Sequence, residues 1–428
     1  MQTELSKEEI IALASTYDAD FNPTAGSSII ITEAQGALLT DTDRHQSIDL
    51  SDIIANIGHS HPQQVTALQA ALEQMITAKS GLTNPARAQL AAKLVEITPD
   101  NLDKAYLVSG GGEVIDWAIR IARRATGKHE ILSFWGGVYG RTYATMSLNG
   151  VQRRRRQFGP MMPGVIHAPF PYCYRCPFDK TPDSCDFYCV DFLDQVMLHE
   201  STDDLAAIIV EPYQGVGGMI FPPDGYLPRL QEWSRSRGVL FILDEIQSSF
   251  GRTGNLFALE RENLQPDMLC IGKGLGSGIS IAALVAESRL FDTVQPGELS
   301  GGNGGNPVAC TAALSVIDIM EAEALPEHAH QIGEMLLARF RKWLGEFACI
   351  GDVRGWGASL AIEFVKDRDT KEPYPEIVQQ IKEASYPQGV YLSSRSHILD
   401  IRPPLVITLE QAQYAADVIE EILRQSVN

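Results

Sequence analysis

Six short, almost continuous apolar runs constrain the fold of this chain more than any other feature. They are AYLVS (105–109), EILSF (130–134), AAIIVE (206–211), VLFILDE (239–245), DMLCIG (267–272) and AALVA (282–286). Strands that are covered on both faces are apolar at nearly every position, whereas half-exposed strands alternate. Since amphipathic stretches separate the runs, the pattern predicts an α/β fold with a mainly parallel sheet wrapped by helices.

The charge of the chain argues against two classes of partner. The 428 residues carry a formal charge of −19 at pH 7. Acidic surfaces repel nucleic-acid backbones and anionic membranes, so we expect neither as a partner. The main basic segment, RRRR at 153–156, is interpreted as a solvated loop.

The lack of a recognisable targeting signal and the number of cysteines predict a cytoplasmic protein. The first ten residues, MQTELSKEEI, are polar and lack the apolar segment of a secretory signal. No apolar stretch approaches the roughly 18 residues that a membrane-spanning helix requires. The chain has seven cysteines, an odd number that is typical of reduced thiols rather than of a disulfide framework.

Four of the cysteines cluster in YCYRCPFDKTPDSCDFYC, at Cys173, Cys176, Cys185 and Cys189. The spacing C-x2-C followed by C-x3-C is compatible with a zinc or iron–sulfur site. The segment between the two pairs is short and no histidine joins them, which favours free or structural thiols. We therefore predict no metal centre.

The character of the sequence changes after residue 305. A long helical stretch there leads to IGDVRGWGASLAIEFV, which predicts a small α+β domain. Near the N-terminus, ALLTDTDRHQSIDL is typical of a β-meander. We expect a large domain (51–310), a small C-terminal domain (311–428), and an N-terminal segment (1–50) that packs with the small domain.

The carboxyl ends of three predicted strands carry the residues with chemistry, and ligands bind at those ends in open α/β sheets. A glycine turn (110–112) precedes a predicted helix, a geometry that directs backbone N–H groups to a phosphate. Asp244 follows VLFIL in the fourth run, and Lys273 follows the fifth run, 29 residues later, a spacing that fits one βαβ unit. Taken singly, these are also the marks of a tight turn, a helix cap and a salt bridge.

Taken together, the three features describe a site for pyridoxal 5′-phosphate. A lysine in apolar surroundings is costly unless it is paired, neutral or used covalently. Lys273 would form a Schiff base with the cofactor, and Asp244 would keep the pyridine nitrogen protonated so that the ring acts as an electron sink. Gly110, Gly111 and Gly112 would hold the phosphate.

The stretch LFILDEIQSSFGRTG…PDMLCIGKGLGSG resembles the class III aminotransferase family of fold-type I pyridoxal-phosphate enzymes. The resemblance spans roughly residues 25–425 and includes IGHSHP, VSGGGE, GRT, EPYQGVGG, GGNPVA, IGDVRGWG and RPPLVIT. The chain is most similar to a branch that contains dialkylglycine decarboxylase and amino-acid or lactam racemases beside aminotransferases. The resemblance implies a large domain with a mainly parallel seven-stranded sheet, a smaller α+β domain, and a homodimer with shared active sites.

The resemblance also implies roles for single residues. Lys273 would shuttle a proton, and Gln247 would reach the ring hydroxyl of the cofactor. Ile246 would pack on one face of the ring, and Glu211 would lie near the substrate.

Two departures from the family pattern affect the cofactor. An aromatic residue that stacks on the ring is followed by histidine in the family, whereas this chain has Val138 and Tyr139. Either Val138 covers the ring weakly or Tyr139 turns in to stack. The family's phosphate-binding threonine from the neighbouring subunit is Gly302 here, so Asn303 or a main-chain amide would have to replace it. Both changes predict looser cofactor retention.

Two further departures place carboxylates at positions that face the substrate in the family. Asp52 replaces the decarboxylase's glutamine, and Asp400 replaces an arginine of members that bind α-carboxylates. Asp400 should repel an α-carboxylate, unless Arg402 takes over the arginine's task and Asp400 faces water. The carboxylate of a partner oxo-acid needs a cation, for which Arg402 and Arg141 are the candidates.

The sequence therefore predicts an aminotransferase that exchanges an amino group between an amine-bearing substrate, other than a simple α-amino acid, and an oxo-acid such as pyruvate or 2-oxoglutarate. Racemisation and decarboxylation stay open as alternatives, because the same cofactor supports all three reactions. A third alternative is a binding protein that has kept the fold without the activity.

Overall fold

The computed structural model describes residues 5–20, 29–78, 82–295 and 297–427. Their strands are β1 (Ile31–Gln35), β2 (Leu38–Asp41), β3 (Gln46–Asp49), β4 (Lys104–Val108), β5 (Glu130–Phe134), β6 (Val165–Ala168), β7 (Leu205–Val210), β8 (Leu240–Asp244), β9 (Met268–Ile271), β10 (Ala282–Ala286), β11 (Ile350–Trp356), β12 (Ser359–Phe364), β13 (Val390–Tyr391), β14 (Ser393–Arg395) and β15 (Ile398–Ile401). Their helices are α1 (Lys7–Tyr17), α2 (Pro62–Gln74), α3 (Pro85–Glu96), α4 (Gly111–Thr126), α5 (Tyr143–Leu148), α6 (Pro182–Cys185), α7 (Tyr188–Asp191), α8 (Leu193–Glu200), α9 (Tyr226–Arg235), α10 (Ser288–Phe291), α11 (Pro307–Ala322), α12 (Leu325–Glu346), α13 (Pro375–Ser385) and α14 (Leu409–Val427).

A seven-stranded sheet forms the centre of the molecule, with strand order β4-β10-β9-β8-β7-β5-β6. The neighbours from β9 to β6 run parallel, and β10 runs antiparallel to both β4 and β9. The predicted mainly parallel sheet is confirmed. Each of the six apolar runs forms a strand, and the seventh strand, β6, has no counterpart among those runs.

Side chains of alternate residues supply the two faces of this sheet. Leu132, Ile208 and Leu243 belong to one hydrophobic cluster, whereas their chain neighbours Ile131 and Ile209 belong to another. The five positions of β5, β8 and β10 are all buried. Burial on both faces is therefore the physical reason for the uninterrupted apolar runs.

Two smaller sheets lie outside the central one. The predicted N-terminal meander is present: β1 pairs with β2 and β2 with β3, both antiparallel. The far edge of this sheet is β13, which runs parallel to β3 with Val390 opposite Ile48. The other sheet, β11-β12-β15-β14, is antiparallel throughout.

The change from one hydrophobic core to the other falls within α12, since Leu325 and Ala329 near its start belong to the cluster of the central sheet. Cys310 and Val316 of α11 pack in a cluster with the central sheet, whereas Ile332 and Leu336 of α12 pack in a cluster with β11–β15. Ile48 of the N-terminal meander belongs to that second cluster. The domain boundaries at residues 50 and 310 stay predictions. In the described ranges, no helix combines the length and apolarity needed to cross a membrane.

Candidate active site

A cavity of about 680 Å³ opens beyond the carboxyl ends of β7 and β8 and at the residues after β9. It is lined by Ile53, Gly111, Gly112, Val138, Tyr139, Gly140, Arg141, Thr142, Arg154, Glu211, Tyr213, Val216, Asp244, Ile246, Gln247, Ser248, Lys273 and Arg395. Asp244 is the last residue of β8, and Glu211 directly follows β7. The parallel topology thus brings Lys273 and the two carboxylates to one edge of the sheet.

Lys273 lies between two glycines and has a left-handed backbone, with φ of 42°. Such a conformation is unfavourable for a residue with a Cβ and persists where the surroundings hold it. A Cβ at the next residue, Gly274, would lie 2.5 Å from Asn56 Nδ2. The Asn56 amide donates to the Phe250 carbonyl (2.7 Å), so glycine at 274 lets this support approach the turn.

Burial lowers the pKa of Lys273, and the nearby carboxylates of Asp244 and Glu211 oppose that shift. A lowered pKa increases the fraction of neutral amine, which is the nucleophilic form. This is the state that the sequence suggested for a lysine in apolar surroundings.

The two carboxylates near Lys273 are both buried and have few polar partners. Asp244 Oδ1 accepts a hydrogen bond from the Ile246 N–H (3.0 Å), and burial raises the pKa of Asp244 to about 6. Glu211 accepts hydrogen bonds from the N–H groups of Val138 (2.9 Å) and Gly215 (3.3 Å). Burial, and then the charge of Asp244, raise the pKa of Glu211 to about 8.

The glycine turn at the start of α4 fits a phosphate group. Gly110 is the N-cap of α4, and no side chain caps the helix. A Cβ at Gly112 would lie 2.9 Å from Thr142 Cγ2, and one at Gly111 would lie 3.2 Å from Ile246 Cδ1. The first-turn N–H groups of α4 therefore remain available to an anion at a point where larger side chains have no room. Gly111 and Gly112 line the cavity, whereas Gly110 does not.

Gln247 supplies a second test of the fit to pyridoxal phosphate. Its Nε2 atom is buried and has no hydrogen-bond partner among the described residues. A buried donor without a partner is costly, so a ligand acceptor such as a ring hydroxyl would satisfy it. Together with Asp244 for a ring nitrogen and Ile246 in the lining, the residues present fit the cofactor.

Val138 and Tyr139 both line the cavity. Tyr139 is almost fully buried, and its hydroxyl donates to the Ile209 carbonyl (3.1 Å). Its N–H donates to Asn149 Oδ1 (2.8 Å). The hydroxyl of Tyr139 is thus bonded to β7, and its backbone N–H is bonded to the residue that follows α5. Whether Val138 or Tyr139 covers the cofactor stays a prediction.

The predicted site residues Asp52, Gly302 and Asn303 do not line the cavity. Gly302 and Asn303 are exposed, and the Asn303 carbonyl accepts a hydrogen bond from the Asn306 N–H (3.2 Å). Asp52 caps its own turn by accepting a hydrogen bond from the Ala55 N–H (2.8 Å). Neither this carboxylate nor the exposed loop is part of the lining.

Asp400 is not a free carboxylate, and this corrects the sequence interpretation. It is fully buried in β15, accepts a hydrogen bond from Ser393 Oγ (3.0 Å) and is ion-paired with the Arg402 guanidinium. It neither lines the cavity nor faces water. The exclusion of simple α-amino acids rested on a free carboxylate at this position, and that basis is absent because Arg402 pairs with it. Arg402 itself is buried behind the lining, whereas Arg141 belongs to it.

Sequence reasoning missed two cations of the lining, Arg154 and Arg395. Arg154 belongs to the RRRR run that was interpreted as a solvated loop, an interpretation that fits the exposed Arg153 and Arg156 but is wrong for Arg154. Other missed residues lie in quoted motifs, namely Thr142 after GR, Tyr213 and Val216 in EPYQGVGG, and Ser248 after LDEIQ. Ile53 and Arg395 have no local sequence signal.

The four clustered cysteines surround a separate small cavity of about 30 Å³. All are free thiols, and burial raises the pKa of Cys173 to about 11 and that of Cys189 to about 12. A metal ion is usually held by three or more His, Cys, Asp or Glu side chains. Among the described residues, one such group has ligand atoms that all lie within 4.8 Å of one another, and it consists of Asp49, Asp52 and His59. The cysteine sulfurs do not form such a group, and the Asp49–His59 contact (2.9 Å) is an ordinary ion pair.

Comparison with known proteins agrees with this geometry. Residues 21–423 match the family model of aminotransferase class-III. The chain is 34% identical over 408 residues to a probable 4-aminobutyrate aminotransferase from Bacillus subtilis, with 93% of this chain and 94% of the relative covered. It is 34% identical over 425 residues to a leucine/methionine racemase from Thermococcus litoralis, with 98% and 96% covered. The structure of an (S)-enantioselective omega-transaminase from Thermomicrobium roseum superposes with a TM-score of 0.93 at 30% identity, covering 99% of this chain and 100% of that one.

The chain belongs to the class-III aminotransferase family. Its fold is the fold-type I architecture of these enzymes, and its cofactor is pyridoxal 5′-phosphate. The predicted family, fold, cofactor and class of enzyme are confirmed, and the alternative of an inactive binding protein is set aside.

Proposed function

We propose that this enzyme transfers an amino group between an amine-bearing substrate and an oxo-acid. The observation that carries the proposal is the position of Lys273 beside Asp244 at one end of a cavity that Arg141 and Arg395 also line. The lysine and the aspartate suit the cofactor, and the guanidinium groups suit the carboxylate of an oxo-acid.

Pyridoxal phosphate, when bound, supplies the electron sink that lets a bond to the amine-bearing carbon break. Around it, Asp244 would hold a proton on the pyridine nitrogen, and Gln247 would donate a hydrogen bond to the ring hydroxyl. Lys273 Nζ, whose pKa is lowered by burial, would accept the proton that leaves the amine-bearing carbon. Amino transfer does not return this proton to the carbon that it left, whereas racemisation delivers a proton to the opposite face of that same carbon.

Glu211 also lines the cavity. Its pKa is raised to about 8, so its carboxyl group is largely protonated at neutral pH. A neutral acid adds no negative charge that would repel the carboxylate of an oxo-acid. Arg141, which is exposed at the cavity, is the residue that we assign to that carboxylate.

Racemisation is the second candidate, because several relatives are named for it. Beside the leucine/methionine racemase, the chain is 32% identical to an isoleucine 2-epimerase from Lentilactobacillus buchneri over 92% of its length. It is 31% identical to an alanine/serine racemase from Pyrococcus horikoshii over 92% of its length. These names belong to the relatives, and the reaction assay below separates the two activities.

We further propose that the enzyme acts as a cytoplasmic homodimer with shared active sites. The exposed loop at Gly302 and Asn303 lies away from the cavity of its own chain, which supports a role at the cavity of a second subunit. Size-exclusion chromatography with light scattering tests the dimer.

The reaction is tested by incubating the enzyme with single-enantiomer amines and with pyruvate or 2-oxoglutarate. Amino transfer consumes one oxo-acid for each amine converted. Racemisation interconverts enantiomers without consuming oxo-acid, and decarboxylation releases carbon dioxide. Loss of optical purity with no oxo-acid consumed would replace the proposed transfer by racemisation.

A further inference from the structure

One buried carboxylate, that of Asp400, holds an arginine cluster of which Arg395 lines the cavity. Asp400 is ion-paired with Arg402, and the Arg395 Nε atom lies 3.7 Å from the same carboxylate oxygen. Ser393 lies directly opposite Asp400 in the β14–β15 pair and contacts both Asp400 and Arg402 with its hydroxyl (3.0 Å each). One buried negative charge therefore holds two guanidinium groups, and one positive charge remains.

The side chain of Arg402 keeps unused donors. It is only 4% exposed, and its Nε and Nη1 atoms are buried without hydrogen-bond partners in the described structure. In front of it, Arg395 lines the cavity. Buried guanidinium donors are normally satisfied, so the arrangement is incomplete without an acceptor.

Arg154 approaches the same region from another part of the chain. It ends the short 3-10 turn Gln152–Arg154, is half-buried, and lines the cavity. Neither Arg154 nor Arg141 forms an ion pair with any carboxylate of the described residues, although the chain has 54 acidic residues against 35 lysines and arginines. Unpaired arginines in so acidic a chain do not follow from its composition.

These arginines are near enough to influence one another. After burial, which is the largest cause, the charges of Arg402, Arg154 and Arg153 lower the pKa of Arg395, while Asp400 opposes them. Arg141 and Arg153 likewise lower the pKa of Arg154, after burial. Like charges that converge at a cavity without counter-ions are stabilised when an anion binds between them.

A single carboxylate is satisfied by one bidentate guanidinium, yet three guanidinium groups line this cavity. We propose that Arg154 and Arg395 form a second anion-binding subsite, and that the preferred amino compound carries two oxyanion groups. Arg141 holds one of them, and the subsite holds the other. This inference rests on the proposed amino transfer, and it names the substrate class for the same cavity.

Binding of amine-free acids tests the subsite without relying on turnover. Isothermal titration of the holoenzyme compares glutarate, a dicarboxylate, with pentanoate, the monocarboxylate of the same chain length, and 4-phosphonobutanoate tests a phosphonate in place of one carboxylate. We expect wild type to bind glutarate at least about tenfold more tightly than pentanoate, and Arg154→Gln and Arg395→Gln to lose most of that preference. Arg156→Gln, an exposed neighbour in the same run, should keep it. Equal affinity for the two acids in wild type, or a preference retained in both cavity variants, overturns the inference.

Turnover with matched donors separates this inference from the proposed function. With pyruvate as acceptor, Arg154→Gln should lower the ratio of kcat/KM for glutamate to kcat/KM for norvaline by about tenfold, whereas Arg156→Gln should keep the wild-type ratio. Transfer from both donors with no effect specific to glutamate overturns the subsite alone. Absence of transfer from every donor overturns the proposed function, and the substrate class with it.

Discussion

Lys273 is held in an unfavourable state in both its backbone and its side chain. Its φ is positive, and burial lowers the pKa of its amine. Neither feature stabilises the fold, and both are common at sites where the surrounding structure prepares a residue for chemistry. The two neighbouring carboxylates, Asp244 and Glu211, are likewise kept in surroundings that raise the pKa of each.

Replacing Lys273 by alanine should abolish turnover while the fold is retained. In the proposed function this amine bonds to the cofactor and moves the proton, so we expect kcat to fall by at least about a thousandfold. Circular dichroism and thermal unfolding should match wild type. Lys366→Ala, which removes an exposed lysine paired with Glu372, is the control and should retain activity. Turnover of Lys273→Ala within about tenfold of wild type would refute the assignment.

Glu211 should make the cofactor-free protein less stable as the pH rises. The folded protein holds the Glu211 proton up to about pH 8, whereas the unfolded chain releases it near the ordinary pKa of 4.5. The folded state therefore binds more protons between these values, and the free energy of unfolding falls with increasing pH. Asp244 and Glu245, whose pKa values are raised to about 6 and about 7, act in the same direction.

Urea unfolding at about pH 5.5 and about pH 7.5 measures this effect. The fall in the free energy of unfolding should be about 1–3 kcal/mol smaller in Glu211→Gln than in wild type. The exposed Glu327→Gln is the control and should keep the wild-type slope. Identical slopes in wild type and Glu211→Gln would mean that Glu211 is ionised in the folded protein.

At the scale of elements, the glycines at the start of α4 differ in how much space surrounds them. A Cβ at Gly112 would press on Thr142, whereas a Cβ at Gly110 would have no atom within 4 Å. Gly110 has extended backbone, which any residue adopts. The two glycines of one turn therefore differ in what a methyl group would do.

Gly112→Ala should weaken binding of pyridoxal phosphate by about tenfold or more, since overpacking of a tight contact typically costs about 1–3 kcal/mol. Gly110→Ala should bind the cofactor much as wild type does. Fluorescence titration of the cofactor-free proteins measures both affinities. Equal losses in the two variants would show that the phosphate approaches Gly110 as closely as Gly112.

The sequence predicted elements well where burial leaves a pattern in the chain. Six strands were visible because both of their faces are buried, whereas β6 is a four-residue strand, VIHA, with two partly exposed positions and no apolar run. The meeting of Asp244 and Lys273 followed from the rule for adjacent parallel strands, β8 and β9.

The sequence contains no comparable pattern that reveals which way a side chain points or with which residue it pairs. Arg154 and Arg156 lie two residues apart in one run of arginines, yet only Arg154 lines the cavity. The sequence analysis placed Asp400 at a family position that faces the substrate, whereas in the structure this carboxylate is buried and ion-paired with Arg402. In both cases the decisive property is the burial of a single side chain, which the local sequence does not reveal.

At the scale of the whole molecule, the loop around Gly302 and Asn303 indicates how two chains would cooperate. Its next residues are packed onto β4, since a Cβ at Gly304 would lie 2.8 Å from the Leu107 carbonyl oxygen. This anchoring keeps the exposed Gly302 and Asn303 at the β4 edge, outside the cavity of their own chain. In the proposed dimer, the loop would reach the phosphate held by α4 of the other subunit.

Mixed dimers should show in which subunit the loop acts. Asn303→Asp places a negative charge on the loop, so the homodimer of this variant should lose pyridoxal phosphate faster on dialysis than wild type, because the charge repels the phosphate. A heterodimer of Asn303→Asp with Lys273→Ala has one site that combines an intact Lys273 with an intact loop from the other chain. That site should retain its cofactor and its turnover at the wild-type level per site. The heterodimer of wild type with Lys273→Ala is the reference, and rapid cofactor loss from the intact-lysine site of the double-variant heterodimer would place the loop at the cavity of its own chain.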